Sequence, residues 1–366
     1  MWRAAKACFL YIGTVIGAGF ASGREIALFF GDTAPLNVAL AALFMAVPEA
    51  LFLVAGKLNI VPDNTAVRTG VFIAAFSSVA AMLAGCDLAL YELTGVVSLG
   101  VIAAVLAGVL VVGGIEKIKL ANSLLIPLLL VLLLAVYIKS GTPFFSGSHS
   151  VIKPVHYAGL DVLMGGMVIS REGKKLKGKE IALTCLMTAI FLGAVLFVLQ
   201  NIVLSDKSNA SMPVLAVADN VGLKIAAGVL IVIAVFTTLV SSLDVLTESA
   251  REALGNFAAG RTLRQGKKQP FLRFCVRYST PENRAFAVFF NLVLLYPVSF
   301  FGFEAIVDAL YPFVGLSGIA MTVYTAFNLL KFLLKNRSAR FDRKRRPKTS
   351  RQKKSTAYRE SPSAVP

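Results

Sequence analysis

Residues 9–30 read FLYIGTVIGAGFASGREIALFF. The ends are apolar and aromatic, and the length suits one bilayer crossing, which takes about 20 residues of helix. The middle does not fit. Gly13, Gly17, Gly19 and Gly23 weaken the helix near what would be the membrane midplane, and Arg24 and Glu25 follow at once. Two uses of these glycines are open. Gly13-x-x-x-Gly17 and Gly19-x-x-x-Gly23 are small-xxx-small patterns that let helices approach closely. Alternatively the helix unwinds and its released N–H and C=O groups line a cavity, since irregular backbone at that depth must be buried in protein or face a cavity.

The rest of the chain settles the solvent. Of 366 residues, 57% are hydrophobic and 16% charged, with a mean hydropathy of +0.74. Uncharged runs such as LLIPLLLVLLLAVYI (124–138) and IAAGVLIVIAVFTTLV (225–240) read as lipid-facing helices. This is the pattern of an all-α integral membrane protein. No cleavable signal peptide is expected, because the first apolar run continues through the glycines with no polar processed region behind it. The four cysteines stand far apart, three of them in apolar runs, so neither a disulfide framework nor a zinc site is expected.

Ten apolar segments can be marked at roughly 6–30, 35–56, 68–91, 94–113, 117–138, 156–171, 180–204, 220–250, 284–302 and 304–334. With the N-terminus inside, thirty-two of the thirty-seven Lys and Arg fall on the inner side, four in outer loops, and Arg24 within a span. That asymmetry follows the positive-inside rule and needs an even number of spans, so both termini are expected in the cytoplasm. The net charge of +17 is then mostly topogenic and requires no nucleic acid. Residues 1–335 form the expected membrane domain, and residues 336–366 a disordered basic tail attracted to anionic lipid.

Five spans after the first glycine cluster comes LDVLMGGMVISREGKK (160–175), again with paired glycines, Gly165 and Gly166, and again with Ser-Arg-Glu beyond them. Ten spans divided five and five run in opposite directions. Interrupted segments at corresponding positions of two inverted halves mark a transporter's binding site. The expected fold is therefore ten helices as a 5+5 inverted repeat, about 1–138 and 150–335, with the first and sixth helices interrupted. Candidate substrate-binding residues are Thr14, Gly17, Ala18, Gly19, Asp161, Gly165 and Gly166. The Ala18 and Gly19 amides would open the outer half-helix, where exposed N–H groups and the dipole favour an anionic substrate group.

YIGTVIGAGFASGREIALFF resembles the opening signature of the YkvI-like family of bacterial membrane proteins, itself similar to the amino acid–polyamine–cation transporters of the LeuT fold. The resemblance implies a bundle of spans one, two, six and seven against a scaffold of three, four, eight and nine. It also implies a small amino or carboxylic compound as substrate and a bacterial plasma membrane as location. An outer gate would join Arg24 of the first span to Asp308 of the tenth, with Glu25 and Glu304 beside them; a local Arg24–Glu25 pair is the alternative. In AVFTTLVSS (234–242), Ala234, Thr237 and Thr238 are similar to a sodium motif of that fold, completed by carbonyls of Gly13 and Ile16. Those threonines could equally bond back along their own helix. The fifth span offers no mid-depth lysine in place of an ion, which favours sodium over a proton as coupling ion; no other cofactor is expected.

Other ionisable groups inside spans are costly and invite explanation: Glu49 after Pro48, Asp87, Asp244 and Glu248. An enzyme is not expected, because the chain has two histidines and no HExxH, CxxC or GxSxG pattern. Secondary transport of a small solute leads, with a transporter-fold receptor or sensor as the alternative. Neither the identity of the solute nor the oligomeric state is written in the residues.

Overall fold

The computed structural model describes residues 1–31, 33–61, 64–113, 116–141, 147–265 and 270–345. The first expected span is three helices: α1 (Trp2–Val15), α2 (Ala18–Ser22) and α3 (Arg24–Phe30). Next come α4 (Pro35–Leu58), α5 (Thr65–Thr94), α6 (Gly100–Gly113) and α7 (Glu116–Ser140). The second half holds α8 (Ile152–Gly173), α9 (Gly178–Ser205), α10 (Pro213–Asn220), α11 (Lys224–Gln265), α12 (Pro270–Ser279), α13 (Arg284–Ser299) and α14 (Phe303–Arg345). Local chemistry sets several ends. Pro35 begins α4 with its φ already helical, and the Asn64 side chain accepts the Val67 N–H at 2.9 Å to start α5.

Five of these helices are long and apolar enough to cross a membrane: Pro35–Leu58, Val67–Thr94, Gly178–Ser205, Lys224–Gly260 and Phe303–Asn336. The chain is a multi-pass membrane protein. Each of the ten segments marked in the sequence falls on helix.

Helix packing sorts into two groups. α1 and α4 each pack on α8 and α9, and α5, α6, α11 and α13 pack on one another. α5 also meets α8, α14 packs on both α8 and α5, and α2 lies against α11. Close approach rests on glycine. A Cβ on Gly56 would strike the Ser170 carbonyl, and one on Gly173 the Leu53 carbonyl, so α4 and α8 touch backbone to backbone. α8 and α14 do the same through Gly159, Gly315 and Gly318. Arg3 Nη1 donates to the Lys175 carbonyl at 3.5 Å, and the Asn37 amide donates to the Ser148 carbonyl at 3.1 Å.

Two expectations are corrected. The sixth span is not interrupted: α8 runs unbroken from Ile152 to Gly173 across Gly165 and Gly166. Those glycines make room for neighbours instead. A Cβ on Gly165 would lie 2.6 Å from the Tyr11 ring, and one on Gly166 would lie 3.0 Å from the Phe52 ring. The second correction concerns the tail. α14 continues to Arg345, ten residues into the segment expected to be disordered. Arg, Lys and Ala carry good helix propensity, no Gly or Pro intervenes before Pro347, and elongating a packed helix avoids the cost of nucleation. Residues 346–366 of the expected tail lie outside the described residues.

Candidate functional site

The break in the first span has a defined geometry. Ile16 adopts φ −72°, ψ 85°, an inverse γ-turn, and the Gly17 N–H donates to the Val15 carbonyl at 2.8 Å. In an unbroken helix that N–H would close on Gly13, so the Gly13 carbonyl is released from its ordinary partner. Gly17 is extended, and α2 restarts one residue later. A second discontinuity follows at Gly23, whose φ of 81° is left-handed; a side chain there would also crowd Val214 and Val203. Thr14 donates its hydroxyl to the Tyr11 carbonyl at 2.7 Å, within its own helix.

The break lies against α11. A Cβ on Gly17 would sit 3.7 Å from the Thr238 hydroxyl. Thr237 donates to the Ala234 carbonyl at 3.1 Å, so two of the expected sodium ligands are bonded to each other, as the local alternative described. Gly13, Ile16, Ala234, Thr237 and Thr238 would offer only neutral oxygens as donors.

Arg24 turns away from Glu25. Its Nε donates to Asp308 Oδ1 at 3.1 Å, a second nitrogen bonds the other Asp308 oxygen, and the same nitrogen lies 2.9 Å from Glu304 Oε1. Ser211 donates to the remaining Glu304 oxygen at 2.7 Å. The Arg24 side chain is 13% exposed, Asp308 39% and Glu304 44%, so the cation is the buried member of a partly wet triad. A cavity of about 770 Å³ opens over it, lined in part by Asp87, Ser211, Glu304 and Asp308.

Glu25 and Asp161 are the two buried carboxyls among the candidate residues. Glu25 is buried and folds back until its carboxyl fills the space a Gly19 side chain would take. The expected anion site at the Ala18 and Gly19 amides is thus accompanied by a carboxyl of the protein itself, and α2 is a single turn. Asp161 is also buried, and its Oδ2 has no hydrogen-bond partner. Tyr157 stands one turn before Asp161 on α8, and the hydroxyls of Tyr157 and Tyr11 are buried without a partner. Phe29 and Phe30 back Tyr157 edge to face at 5.5 and 5.1 Å. These tyrosines went unmarked as site residues. One signal was available, since Tyr157 and Asp161 stand four apart and share a helix face.

A break at glycine, wedged among packed helices and bordered by buried polar groups, can be compared with solved structures. One of a Na+-coupled sialic acid symporter, in a substrate-bound outward-open state, aligns with a TM-score of 0.52 at 14% identity, over 88% of this chain and 77% of that chain. The chain shares that symporter's fold. A manganese transporter of Eremococcus coleocola aligns at a TM-score of 0.44 and 12% identity, over 90% of this chain and 95% of that chain. No protein-family model and no curated protein sequence matches the chain.

Other intramembrane charges have structural partners. Glu49 accepts a hydrogen bond from Thr188 at 3.0 Å, and α4 passes through Pro48 without a break. Asp87 accepts from the Gly100 N–H at 2.8 Å and from the Tyr296 hydroxyl at 3.2 Å, tying α5 to α6 and α13. Asp244 pairs with Arg284, and Glu248 with Arg251 at 3.0 Å.

Proposed function

We propose that this chain is a secondary active transporter of a small amino acid or related organic solute, working by alternating access and coupled to sodium. The observation that carries the reading is the helix break at Ile16–Gly17, which lies against Thr238 of α11. In this reading ten spans form two inverted halves, both termini are cytoplasmic, and the protein sits in a bacterial plasma membrane. The mutual packing of α1 with α8, α4 with α9, α5 with α11 and α6 with α13 supports the halves, since each pair is five spans apart. The YkvI-like signature over residues 11–30 supports the family assignment. Interfacial anionic lipid would attract the basic C-terminal segment.

Arg24 with Asp308 and Glu304 closes the outer path in this reading, and the Gly13, Ile16, Ala234, Thr237 and Thr238 oxygens hold sodium. Sodium there would fix the break in one geometry and so couple ion binding to the shape of the substrate site. The test is a ligand screen by thermal stabilisation of the purified protein, with and without sodium, followed by liposome uptake of each hit. Uptake is expected to need sodium, and Thr237→Ala combined with Thr238→Ala should raise the sodium requirement about tenfold, the loss of about 1.4 kcal/mol of ion binding. Full uptake driven by a proton gradient in sodium-free buffer would overturn the coupling. Tight binding with no flux would make the protein a sensor instead.

A further inference from the structure

The helix α12, Pro270–Ser279, is too short to span a membrane and links α11 to α13. Its residues sort by face. Leu272, Cys275 and Tyr278 are buried, and pack with Ala250, Ala258 and Ala287 of the two neighbouring helices. Arg273 and Arg277 stand four apart on the exposed side. Polar bonds fix the helix in place. The Tyr278 hydroxyl donates to Asn291 of α13 at 2.8 Å, and Arg251 of α11 donates to the Ser279 carbonyl at 3.2 Å.

Aromatic rings carry this packing outward to the surface. Phe257 of α11 meets Phe271 at 5.8 Å between ring centroids, Phe271 meets Phe274 at 6.5 Å, and Phe274 meets Phe290 of α13 at 5.1 Å. Phe271 is 58% exposed, and Phe257 and Phe290 are exposed as well. From Phe290 the same side of α13 runs on to Val293 and Leu294, 74% and 58% exposed. On a multi-pass membrane protein, a contiguous apolar surface of this kind is covered by lipid. The chain of rings therefore starts on a lipid-covered helix and ends on α12.

Charge lies at the edge of this surface. The Arg277 guanidinium sits 4.7 Å from the centroid of the Phe286 ring, one turn before Phe290 on α13. Between Arg251 and Arg284 the sequence holds eight Lys and Arg against two Glu. Arg251 and Arg284 are paired with Glu248 and Asp244, whereas α12 itself carries no acidic residue. Two occupants of the exposed side fail on charge. The chain's own C-terminal segment is basic, and a second copy would set Arg273 and Arg277 against their equals.

We propose that α12 is a membrane-interface helix, with Phe271 and Phe257 inserted at the acyl boundary and Arg273 and Arg277 binding the phosphates of anionic lipid headgroups. Aromatic rings favour the boundary between acyl chains and headgroups, and amphipathic helices with a cationic polar face lie in that plane. The guanidinium fork matches a pair of phosphate oxygens. Such a role needs only the chain's place in a membrane, and holds whether or not a solute is transported. In the topology proposed above, this surface meets the cytoplasmic leaflet, where anionic lipid is held.

The full chain carries one tryptophan, Trp2, so Phe271→Trp in a Trp2→Phe background reports on α12 alone. In vesicles of phosphatidylglycerol and phosphatidylcholine, its fluorescence should be quenched by acyl-brominated lipid and little by aqueous iodide. Iodide quenching without bromolipid quenching would overturn the proposal. So would protection from both, which would mean that protein covers the surface. Charge is read by titrating phosphatidylglycerol into the native chain in neutral detergent, with phosphatidylcholine and inorganic phosphate as controls. Phosphatidylglycerol should raise the unfolding midpoint and the controls should not; an equal rise with inorganic phosphate would overturn lipid as the ligand. Arg273→Gln with Arg277→Gln, both on the exposed side, should leave the lipid-free midpoint near that of the native protein. Apparent affinity for phosphatidylglycerol should fall about fivefold for each cation lost. An unchanged affinity in the double variant would overturn headgroup binding by α12 and leave the C-terminal segment as the source of the lipid effect.

Discussion

Two glycine clusters five spans apart end up doing opposite things. At Gly17 the backbone leaves the helix, and its N–H turns back to Val15. At Gly165 and Gly166 the backbone stays helical, and the missing side chains let Tyr11, Thr14 and Phe52 come close. The two sites are adjacent, because the Gly165 gap is filled by the residues that lead into the Gly17 break. α8 is clamped backbone to backbone on α4 at one end and on α14 at the other, so it has little freedom to unwind. Beyond Val15 the first span continues as α2, one turn long. Glycine in a membrane helix therefore permits a break without commanding one, and the neighbours decide.

The comparison can be broken most severely at Gly23. Gly23→Val places a β-branched residue at φ 81° and drives its Cβ into Val214, 2.9 Å away. Left-handed strain and overpacking together should cost about 2–4 kcal/mol, read as a lowered unfolding midpoint. A native midpoint would mean that the second discontinuity is not fixed by the backbone.

Gly165→Ala tests the other member of the pair. The new methyl meets the Tyr11 ring at 2.6 Å and the Thr14 hydroxyl at 3.0 Å, with an expected loss of about 1–3 kcal/mol. Should this variant prove neutral, close packing is not why α8 carries glycine there.

The Arg24 triad lies just past the break and extends the contrast to function. Arg24→Ala should lower solute uptake about threefold to tenfold, a modest loss because Asp308 and Glu304 are more than a third exposed and screened. Exchanging the charges, Arg24→Asp with Asp308→Arg, should restore part of it. No rescue in the exchanged protein would leave the triad without a gating role.

The smallest effect belongs to the break itself. Gly17 has φ −102°, which any residue adopts, and a methyl there finds Thr238 at an ordinary 3.7 Å. Gly17→Ala should change stability by no more than about 0.5 kcal/mol. A large loss would reverse the comparison, making the break the tightly packed site and α8 the tolerant one.

Much of the architecture was legible in the residues. Apolar runs of membrane length marked ten segments, and each falls on helix, because solvation by lipid forces the backbone to satisfy itself locally. The first helix's weakness was also legible, since four glycines within eleven residues lower its propensity wherever it sits. Arg24 with Asp308 came from the resemblance, and the structure brings them together over a separation of 284 residues. What tertiary structure alone decided was the fate of each glycine and the company of each charge. Gly165 and Gly17 look alike in the chain, yet one faces the Tyr11 ring and the other the Thr238 side chain. Glu25 reads as a neighbour of Arg24, but it is buried against Gly19 while Arg24 bonds Asp308 and Glu304. Helix propensity and hydropathy are local sums that a sequence carries with it. Which face a side chain meets depends on how distant helices cross, and that is set only when the whole bundle packs.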